Sequence, residues 1–320
     1  MNAEHRVAAL DIGSDTVHVL IARVSPGPDE LVGPEITVLE QHGALLELGR
    51  RVAAKGRVGH RATGRLEDVV GHFAWLAHRQ HAPLVIGATE ALRRAGDGPL
   101  VIQRLEARIG QPVRVLTGMR EAALGLAGVR GRLDPAGSQL VIDSGGASTE
   151  LTLTEGRRRL ASASLPVGAA LLGAALHGDP PEALSWALGA VQVGKALGLA
   201  PEGRPARAWA TGGSAHNLAG LERTRGREGP QRLSTSELAG LAAELLKRSA
   251  QRLARRSGED PARVRILPPG LLIIAAVLAH YGLEEITVVP EGLRQGMVAA
   301  FLERGDDWWR DDGAPATADG

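Results

Sequence analysis

The stretch from Leu140 to Thr154, LVIDSGGASTELTLT, decides how this chain folds. Its apolar start predicts a buried strand, DSGGAS a glycine-rich turn, and ELTLT a second strand. The same pattern opens the chain from Val7 to Val24, VAALDIGSDTVHVLIARV. In both copies an aspartate, Asp11 or Asp143, closes the first strand. The copies lie about 130 residues apart, one domain length, so the sequence predicts two related strand–turn–strand units.

The composition agrees with two packed domains and excludes several classes of protein. The chain has 320 residues, of which 44% are hydrophobic and 23% charged, and this length is typical of two domains. It contains no cysteine, which excludes disulfide scaffolds, thiolate metal sites and cysteine nucleophiles. The formal net charge is only +1, with two Phe and one Tyr. We therefore expect no nucleic-acid partner, because basic fields and stacking aromatic residues are both scarce.

The termini and the apolar runs predict a cytoplasmic protein. The first residues, MNAEHRVAAL, lack the basic stretch and the long apolar run of a signal peptide. The apolar run from Gly270 to His280 has about half the length that crosses a bilayer. We expect no membrane partner.

Three turns that follow apolar strands share a composition suited to phosphate. They are Asp11 to Asp15, Asp143 to Glu150 and Thr211 to Ser214. Glycines let successive backbone N–H groups point into one concavity, and Ser or Thr hydroxyls add donors, which is how phosphate oxygens are held. Carboxylates such as Asp143 and Glu150 are ligands for a hard divalent cation. One such turn is most often an ordinary tight turn, but three at strand ends favour phosphate binding.

A set of motifs that occur in a fixed order resembles the Ppx/GppA phosphatases, the exopolyphosphatases and guanosine pentaphosphate phosphohydrolases. The resemblance covers Val7 to Leu302, and the ordered set is much more specific than any one motif. In chain order the motifs are DIGSDTVHVL, ATEALRRA, LTGMREA, VIDSGGASTEL, SLPVGA, ATGGSA, ILPPGLLII and EGLRQGM.

The resemblance implies an α/β fold of the two-domain actin-like type (ASKHA, ribonuclease H-like), with the active site in the interdomain cleft. On this basis we assign residues 1–128 to an N-terminal domain and 129–298 to a C-terminal domain. We expect a helix near 299–312 to pack back on the first domain and residues 313–320 to form a mobile tail. The internal repeat is what such a fold requires.

The same resemblance assigns roles to residues of the motifs. Glu121 corresponds to the family's catalytic acid, which orients the attacking water, and Arg93 to an arginine that contacts phosphate. Asp143 and Glu150 are the implied metal ligands, with Asp11 as a third candidate. The residues implied to line the phosphate path are Ser14, Asp15, Gly145, Gly146, Ala147, Ser148, Gly212, Gly213 and Ser214.

Four positions depart from the family pattern. Asp15 replaces a neutral amide, and a carboxylate beside phosphate should weaken binding unless it turns away or a metal bridges the two. Ala147 replaces a glycine, which costs about 1 kcal/mol if the backbone there has positive φ. Arg120 replaces an acid and would either favour polyanion binding or pair with Glu121 and lower its pKa. The EGLRQG motif lacks the aspartate that precedes it in the family.

These inferences favour an exopolyphosphatase that depends on Mg²⁺ or Mn²⁺. We expect it to release orthophosphate from inorganic polyphosphate, chiefly short chains, by in-line attack of a water oriented by Glu121. One alternative is a guanosine pentaphosphate phosphohydrolase, which would also bind the tetraphosphate. Another is a non-catalytic protein that binds polyphosphate or these guanosine nucleotides, a hypothesis motivated by Asp15 and Ala147. The resemblance also implies a homodimer.

Overall fold

A computed structural model describes residues 5–27, 32–223, 231–257 and 264–311. The tail predicted over 313–320 lies outside these residues. The described chain forms two mixed sheets, each covered by helices, and one further helix packs against both of them.

The first sheet has five strands in the order β3-β2-β1-β4-β5. β1, β2 and β3 are antiparallel neighbours, whereas β4 and β5 run parallel to β1. The turn between β1 and β2 closes through a hydrogen bond from Gly13 N to Thr16 O at 3.1 Å. The strands are β1 (His5–Ile12), β2 (Thr16–Ser25), β3 (Glu35–Leu45), β4 (Leu84–Ala88) and β5 (Arg114–Val115).

Helices cover one face of this sheet, and a further helix begins directly after β5. The apolar face of β1, including Leu10 and Ile12, packs against α2 and α4 through buried residues such as Leu66 and Leu105. The helices of this half are α1 (Leu48–Lys55), α2 (His60–Arg79), α3 (Glu90–Arg94), α4 (Gly98–Ile109) and α5 (Gly118–Val129).

The second sheet repeats the arrangement of the first. Its order is β10-β11-β9-β6-β7-β8, with β6, β7 and β8 antiparallel and β9 parallel to β6. Asp11 pairs in register with His18, and Asp143 pairs with Glu150, so the two aspartates occupy equivalent strand ends. The strands are β6 (Ser138–Ser144), β7 (Thr149–Glu155), β8 (Arg158–Leu165), β9 (Arg207–Thr211), β10 (Gln231–Ser234) and β11 (Glu285–Val288).

The helices of the second half bury its apolar face, and two local predictions can be compared with them. A capping box at Ser234 and Glu237 begins α9, as the sequence indicates. Pro268 and Pro269 lie inside the first turn of α11, where the missing N–H of proline leaves no intrahelical bond unmade. The helices are α6 (Ala169–Ala175), α7 (Ala183–Ala196), α8 (Gly212–Arg223), α9 (Thr235–Leu245), α10 (Ala250–Ser257) and α11 (Leu267–Tyr281).

The last helix, α12 (Leu293–Arg304), returns to the first sheet. It packs against α5 and β1, and Met297 and Val298 are fully buried there together with Trp308. The helix therefore begins and ends several residues before the 299–312 expected from the sequence. α5 also contacts β7 and β8 of the second sheet, so it connects the two halves. Of the helices in the described ranges, none is both long and apolar enough to cross a membrane.

Candidate active site

The site lies where the equivalent ends of β1 and β6 face each other beside α5. Asp11 is in register with Gly87 of β4, and Asp143 is in register with Thr211 of β9. Because parallel strands end at the same edge of a sheet, each aspartate lies at the mouth of a crevice between two loops. Glu121, in the first turn of α5, is within electrostatic reach of both aspartates.

Glu121 is a buried acid held by an arginine from another helix. Its side chain is 9% exposed, and its Oε1 accepts a hydrogen bond from Arg93 Nη1 at 2.7 Å. Arg93 also pairs with Glu90 and donates to the carbonyl oxygen of Leu116. α3 thus presents one guanidinium to Glu121 on α5, so two residues that the sequence singled out lie side by side.

Burial raises the pKa of all four carboxylates of the site, and the charges of neighbouring carboxylates add to this for Asp11, Glu121 and Glu150. Burial raises the pKa of Glu121 to about 8, and the hydrogen bond from Arg93 only partly offsets this, while Asp11 and Asp143 raise it further. Burial likewise raises the pKa of Asp11 to about 7 and that of Asp143 to about 6. Burial and the charges of Glu121 and Asp143 raise the pKa of Glu150 well above its ordinary value. Such mutual repulsion is typical of sites that hold a cation or move a proton.

Glu150 is held by hydroxyl groups. Its Oε1 accepts from Ser164 Oγ at 2.7 Å, and Ser148 also donates to its carboxylate. α5 comes so close to Ser164 that a Cβ atom at Gly118 would overlap its hydroxyl. A glycine at the start of α5 therefore permits Glu121 and Glu150 to come within electrostatic reach of each other.

The loop Gly145 to Ser148 has the form expected of a phosphate cradle. Its carbonyl groups cap the start of α6: Gly145 O accepts from Ala169 N at 2.9 Å, and Gly146 O accepts from Ala170 N at 2.7 Å. Within the described residues, the N–H groups of Gly146 and Ala147 have no hydrogen-bond partner. Two successive amides are therefore available to phosphate oxygens.

The start of α8 supplies a second set of donors beside Asp143. Gly212 has φ of 82°, and a Cβ atom there would overlap Asp143 Oδ1. Ser214 is buried, and its Oγ accepts from Ser144 Oγ at 3.0 Å. The first amides of a helix have no intrahelical partner, so Gly213 and Ser214 direct donors to the same region as the β6–β7 loop.

Ser14 and Asp15 of the first half face the cradle of the second. A Cβ atom at Gly146 would lie 2.9 Å from both Asp15 Oδ2 and Ser14 Cβ. Burial raises the pKa of Asp15 to about 6; Arg50 acts in the opposite direction, and Glu47 raises it further. The Asp15 side chain therefore does not turn away from the predicted phosphate-binding loop, and its carboxyl group lies close to that loop.

Two further departures from the family pattern have a structural outcome. Ala147 is buried and does not have positive φ, so the strain considered for a methyl group there does not arise. The cation paired with Glu121 is Arg93, whereas Arg120 donates from Nε to the carbonyl oxygen of Trp308 at 3.0 Å. Arg120 is 4% exposed and is covered by the C-terminal segment. Its guanidinium is therefore not available to bind a polyanionic substrate.

The predicted metal ligands suit a cation of the Mg²⁺ type. Within the described part of the chain, no three His, Asp or Glu side chains converge closely enough to hold an ion by themselves. Mg²⁺ keeps several waters, however, and is usually bound by one or two carboxylates together with phosphate oxygens. Asp11 Oδ1 is inaccessible and has no hydrogen-bond partner among the described residues. This unpartnered oxygen of Asp11 and the carboxylate of Asp143 could serve as the two protein ligands of such a cation, and Glu150 lies within electrostatic reach of Asp143.

Sequence reasoning missed three residues of this site. Arg294, in the EGLRQGM motif, lies within electrostatic reach of Asp11 and Asp143. Burial lowers the pKa of its guanidinium, and the negative charges of the two aspartates only partly offset this. Ser164 holds Glu150, and Glu90 holds Arg93. The position of Arg294 inside a motif was the available signal. The contact of Ser164 with Glu150 depends on strand pairing between β7 and β8, whereas Glu90 and Arg93 are three residues apart on α3, a spacing that is visible in the sequence.

Comparisons with known proteins agree with this geometry. The model of the Ppx/GppA phosphatase family matches residues 20–304. The chain is 28% identical to Exopolyphosphatase 1 of Mycobacterium leprae, over 93% of this chain and 90% of that protein. It is 27% identical to Exopolyphosphatase 2 of Mycobacterium tuberculosis, over 92% of this chain and 98% of that protein.

Solved structures show the same fold. A Ppx/GppA enzyme of Aquifex aeolicus superposes with a TM-score of 0.76 at 23% identity, covering 92% of this chain and 99% of that one. An exopolyphosphatase of Cytophaga hutchinsonii superposes with a TM-score of 0.79 at 21% identity, covering 93% and 98%. The predicted two-domain actin-like fold is confirmed by these likenesses.

Proposed function

The chain belongs to the Ppx/GppA phosphatase family, and we propose that it is an exopolyphosphatase with Glu121 as its catalytic base. Membership of this family supports a phosphatase, that is, a hydrolase. The observation that carries the proposal is the buried Glu121 carboxylate, which accepts a hydrogen bond from Arg93 at 2.7 Å. Asp11 and Asp143 lie within electrostatic reach of it. An acid in that position is suited to accept a proton next to a bound phosphate.

The terminal phosphate of the substrate binds between the two halves of the molecule. The amides of Gly146 and Ala147 and the start of α8 supply donors from one side, whereas the Ser148 hydroxyl donates to Glu150. Arg93 supplies a cation from the other, and its pairing with Glu90 fixes its direction. Donors held in place before the reaction stabilise charge on the equatorial oxygens without reorganisation.

Glu121 accepts a proton from the attacking water. The water oxygen forms a bond to the terminal phosphorus as the bridging P–O bond on the opposite side breaks. The shortened polyphosphate leaves with the electrons of that bond, orthophosphate is released, and the proton moves to Glu121. Because burial raises the pKa of Glu121, its carboxylate is a stronger base than that of an exposed glutamate.

Asp143 and Asp11 are the residues that would hold a divalent cation, Mg²⁺ or Mn²⁺, with Glu150 beside them. When bound, such a cation neutralises phosphate charge. Arg294 limits the repulsion between the two aspartates, since its charge lowers the pKa of both.

We propose polyphosphate rather than guanosine pentaphosphate as the substrate because the two relatives reported above are named exopolyphosphatases. The chain matches each of them over at least 90% of that protein's length. The alternative nucleotide substrate would use the same Glu121 and Arg93. Direct comparison of the two substrates separates these functions.

The test is orthophosphate release from short-chain polyphosphate, with Mg²⁺ and then with excess chelator. We expect release by the wild type, its loss on chelation and its recovery with added Mg²⁺. Glu121→Gln should reduce kcat by about 100-fold or more, whereas Glu303→Gln, an exposed glutamate on α12, should not change it.

Three results would redirect the proposal. Equal rates for the wild type and Glu121→Gln would remove the assigned base. Faster release from guanosine pentaphosphate than from polyphosphate would make the protein a pentaphosphate phosphohydrolase. Tight binding of either substrate with no release under saturating Mg²⁺ or Mn²⁺ would make it a binding protein.

A further inference from the structure

A small cavity between the two halves is lined by three arginines. Its volume is about 70 Å³, and its cationic lining residues are Arg50 of α1, Arg248 after α9 and Arg265 before α11. By volume it holds roughly two water-sized groups, the scale of one phosphate. Arg50 comes from the first half of the molecule and the other two from the second, so the cations converge across the cleft.

The charge of this cavity is positive. Asp179 is the one acidic residue among its described lining residues, so three guanidinium groups and one carboxylate leave a net charge of +2. The carboxylate of Asp179 is already engaged: its Oδ1 accepts from Ala250 N at 2.6 Å, and its Oδ2 lies 3.9 Å from Arg265. Arg50 makes an exposed pair with Glu47 at 3.0 Å, and such pairs are weak in water.

The cavity is close to the phosphate loops of the active site. Gly49, next to Arg50, donates from N to Ser14 O at 2.7 Å. On the other side, α6 begins at the phosphate cradle with Ala169, and Gly173 of the same helix lines the cavity. Four residues of helix span roughly 6 Å, so a short chain of phosphates can extend from one place to the other.

A larger cavity nearby does not have this character. It has a volume of about 290 Å³ and is lined mainly by small and apolar residues of α1, α3 and α6. Among its described lining residues, the one cation, Arg94, lies 3.5 Å from the one anion, Glu90, so their charges cancel. Of the two cavities, the smaller is therefore the one whose lining charge suits a polyanion.

We propose that Arg50, Arg248 and Arg265 form a distal anion subsite that binds a downstream phosphate of the substrate while the terminal phosphate lies beside Glu121. This subsite rests on the proposed function and adds a chain-length preference to it. Guanidinium groups bind phosphate oxygens in pairs of hydrogen bonds. Substrates long enough to reach both places gain these contacts, and pyrophosphate, with only two phosphates, does not.

The test compares a long polyphosphate chain, as substrate, with pyrophosphate, as a competing ligand too short to reach the subsite, for the wild type and for the double variant Arg248→Gln, Arg265→Gln. We expect KM for the long chain to rise about tenfold or more, with kcat unchanged and the inhibition constant of pyrophosphate unchanged. Arg252→Gln, an exposed arginine on α10, serves as the matched control. Equal effects on both ligands, or no effect on either, would overturn the subsite.

Binding of the long chain, measured by calorimetry in the Glu121→Gln background, separates this inference from the proposed hydrolysis. Weaker binding in the double variant supports the subsite even if the wild type proves inactive. Unchanged long-chain binding in a double variant whose melting temperature equals that of the parent contradicts the subsite, whatever the enzyme hydrolyses.

Discussion

Arg120 and Trp308 are joined across 188 positions of the chain by hydrogen bonds from the guanidinium to the Trp308 carbonyl oxygen, the one from Nε being 3.0 Å long. Trp308 is itself 4% exposed and packs with Leu116 and Leu124. Three residues later, Asp311 accepts from Thr117 Oγ1 at 2.9 Å, and Thr117 caps α5. The C-terminal segment thus fastens the first turn of α5, which carries Glu121.

Trp308→Ala should destabilise the protein and loosen the catalytic helix. Loss of a buried tryptophan costs about 3–5 kcal/mol of unfolding free energy, and kcat should fall because Glu121 loses its fixed position. The control is Trp75→Ala, since Trp75 is 51% exposed. Denaturant unfolding and steady-state kinetics check both effects. Equal stability of the two variants would show that the segment does not hold α5.

Glu121→Gln should make the metal-free protein more stable at pH 8 than the wild type. The pKa of Glu121 is about 8 in the folded protein and 4.5 ordinarily, so the folded state binds a proton more tightly than the unfolded state. The wild type therefore loses stability as pH rises from about 4.5 to 8, and the amide does not. Melting temperatures across this range should diverge by about 2 °C or more toward pH 8; parallel curves would contradict the raised pKa.

Asp15→Asn should lower KM for polyphosphate. The change removes a negative charge near the phosphate cradle, where a Cβ atom of Gly146 would lie 2.9 Å from Asp15 Oδ2. We expect about a tenfold effect at pH 8. The effect should vanish below pH 6, because the pKa of Asp15 is raised to about 6 and the wild-type carboxyl is then neutral. Asp68→Asn, at an exposed position on α2, is the control. A pH-independent change would contradict an electrostatic cause.

Gly128→Ala should separate α5 from α12. A Cβ atom at Gly128 would overlap the carbonyl of Gly292, which is backbone and cannot rotate away. The expected loss is about 3 kcal/mol of unfolding free energy. Gly240→Ala on α9 is the matched control, because it has open space around it and alanine favours a helix by about 1 kcal/mol. If both variants melt like the wild type, the backbones of α5 and α12 do not touch at Gly128 and Gly292.

The chain should form a homodimer through α7. This helix exposes Leu184, Leu188 and Val191, at 71%, 61% and 55%, and the spacing puts them on one face. Such a face can pair with itself about a two-fold axis. Light scattering after gel filtration should give a dimer for the wild type and for Leu100→Arg, which changes another exposed leucine. Leu188→Arg should give a monomer; a monomeric wild type would contradict the proposal.

Local patterns in the sequence were sufficient for the strand–turn–strand units and for several helix ends. Asp11 and Asp143 follow short apolar runs, which predict buried strands. Ser234 and Glu237 form the capping box of α9, and this motif is complete within four residues. β3 was not identified because most of its side chains are exposed, so no apolar alternation reveals it. Its place depends on backbone pairing with β2.

The sequence by itself determined that two like units would each place an aspartate at a strand end beside a glycine-rich turn, because turn geometry and burial are properties of neighbouring residues. Only the tertiary structure decided which charges meet: Arg93 rather than Arg120 pairs with Glu121, and Arg294 faces Asp11 and Asp143. These pairings join residues far apart in the chain. They depend on how α5 packs between the two sheets and how α12 packs against α5. Burying these helices contributes more free energy than any single charge pair.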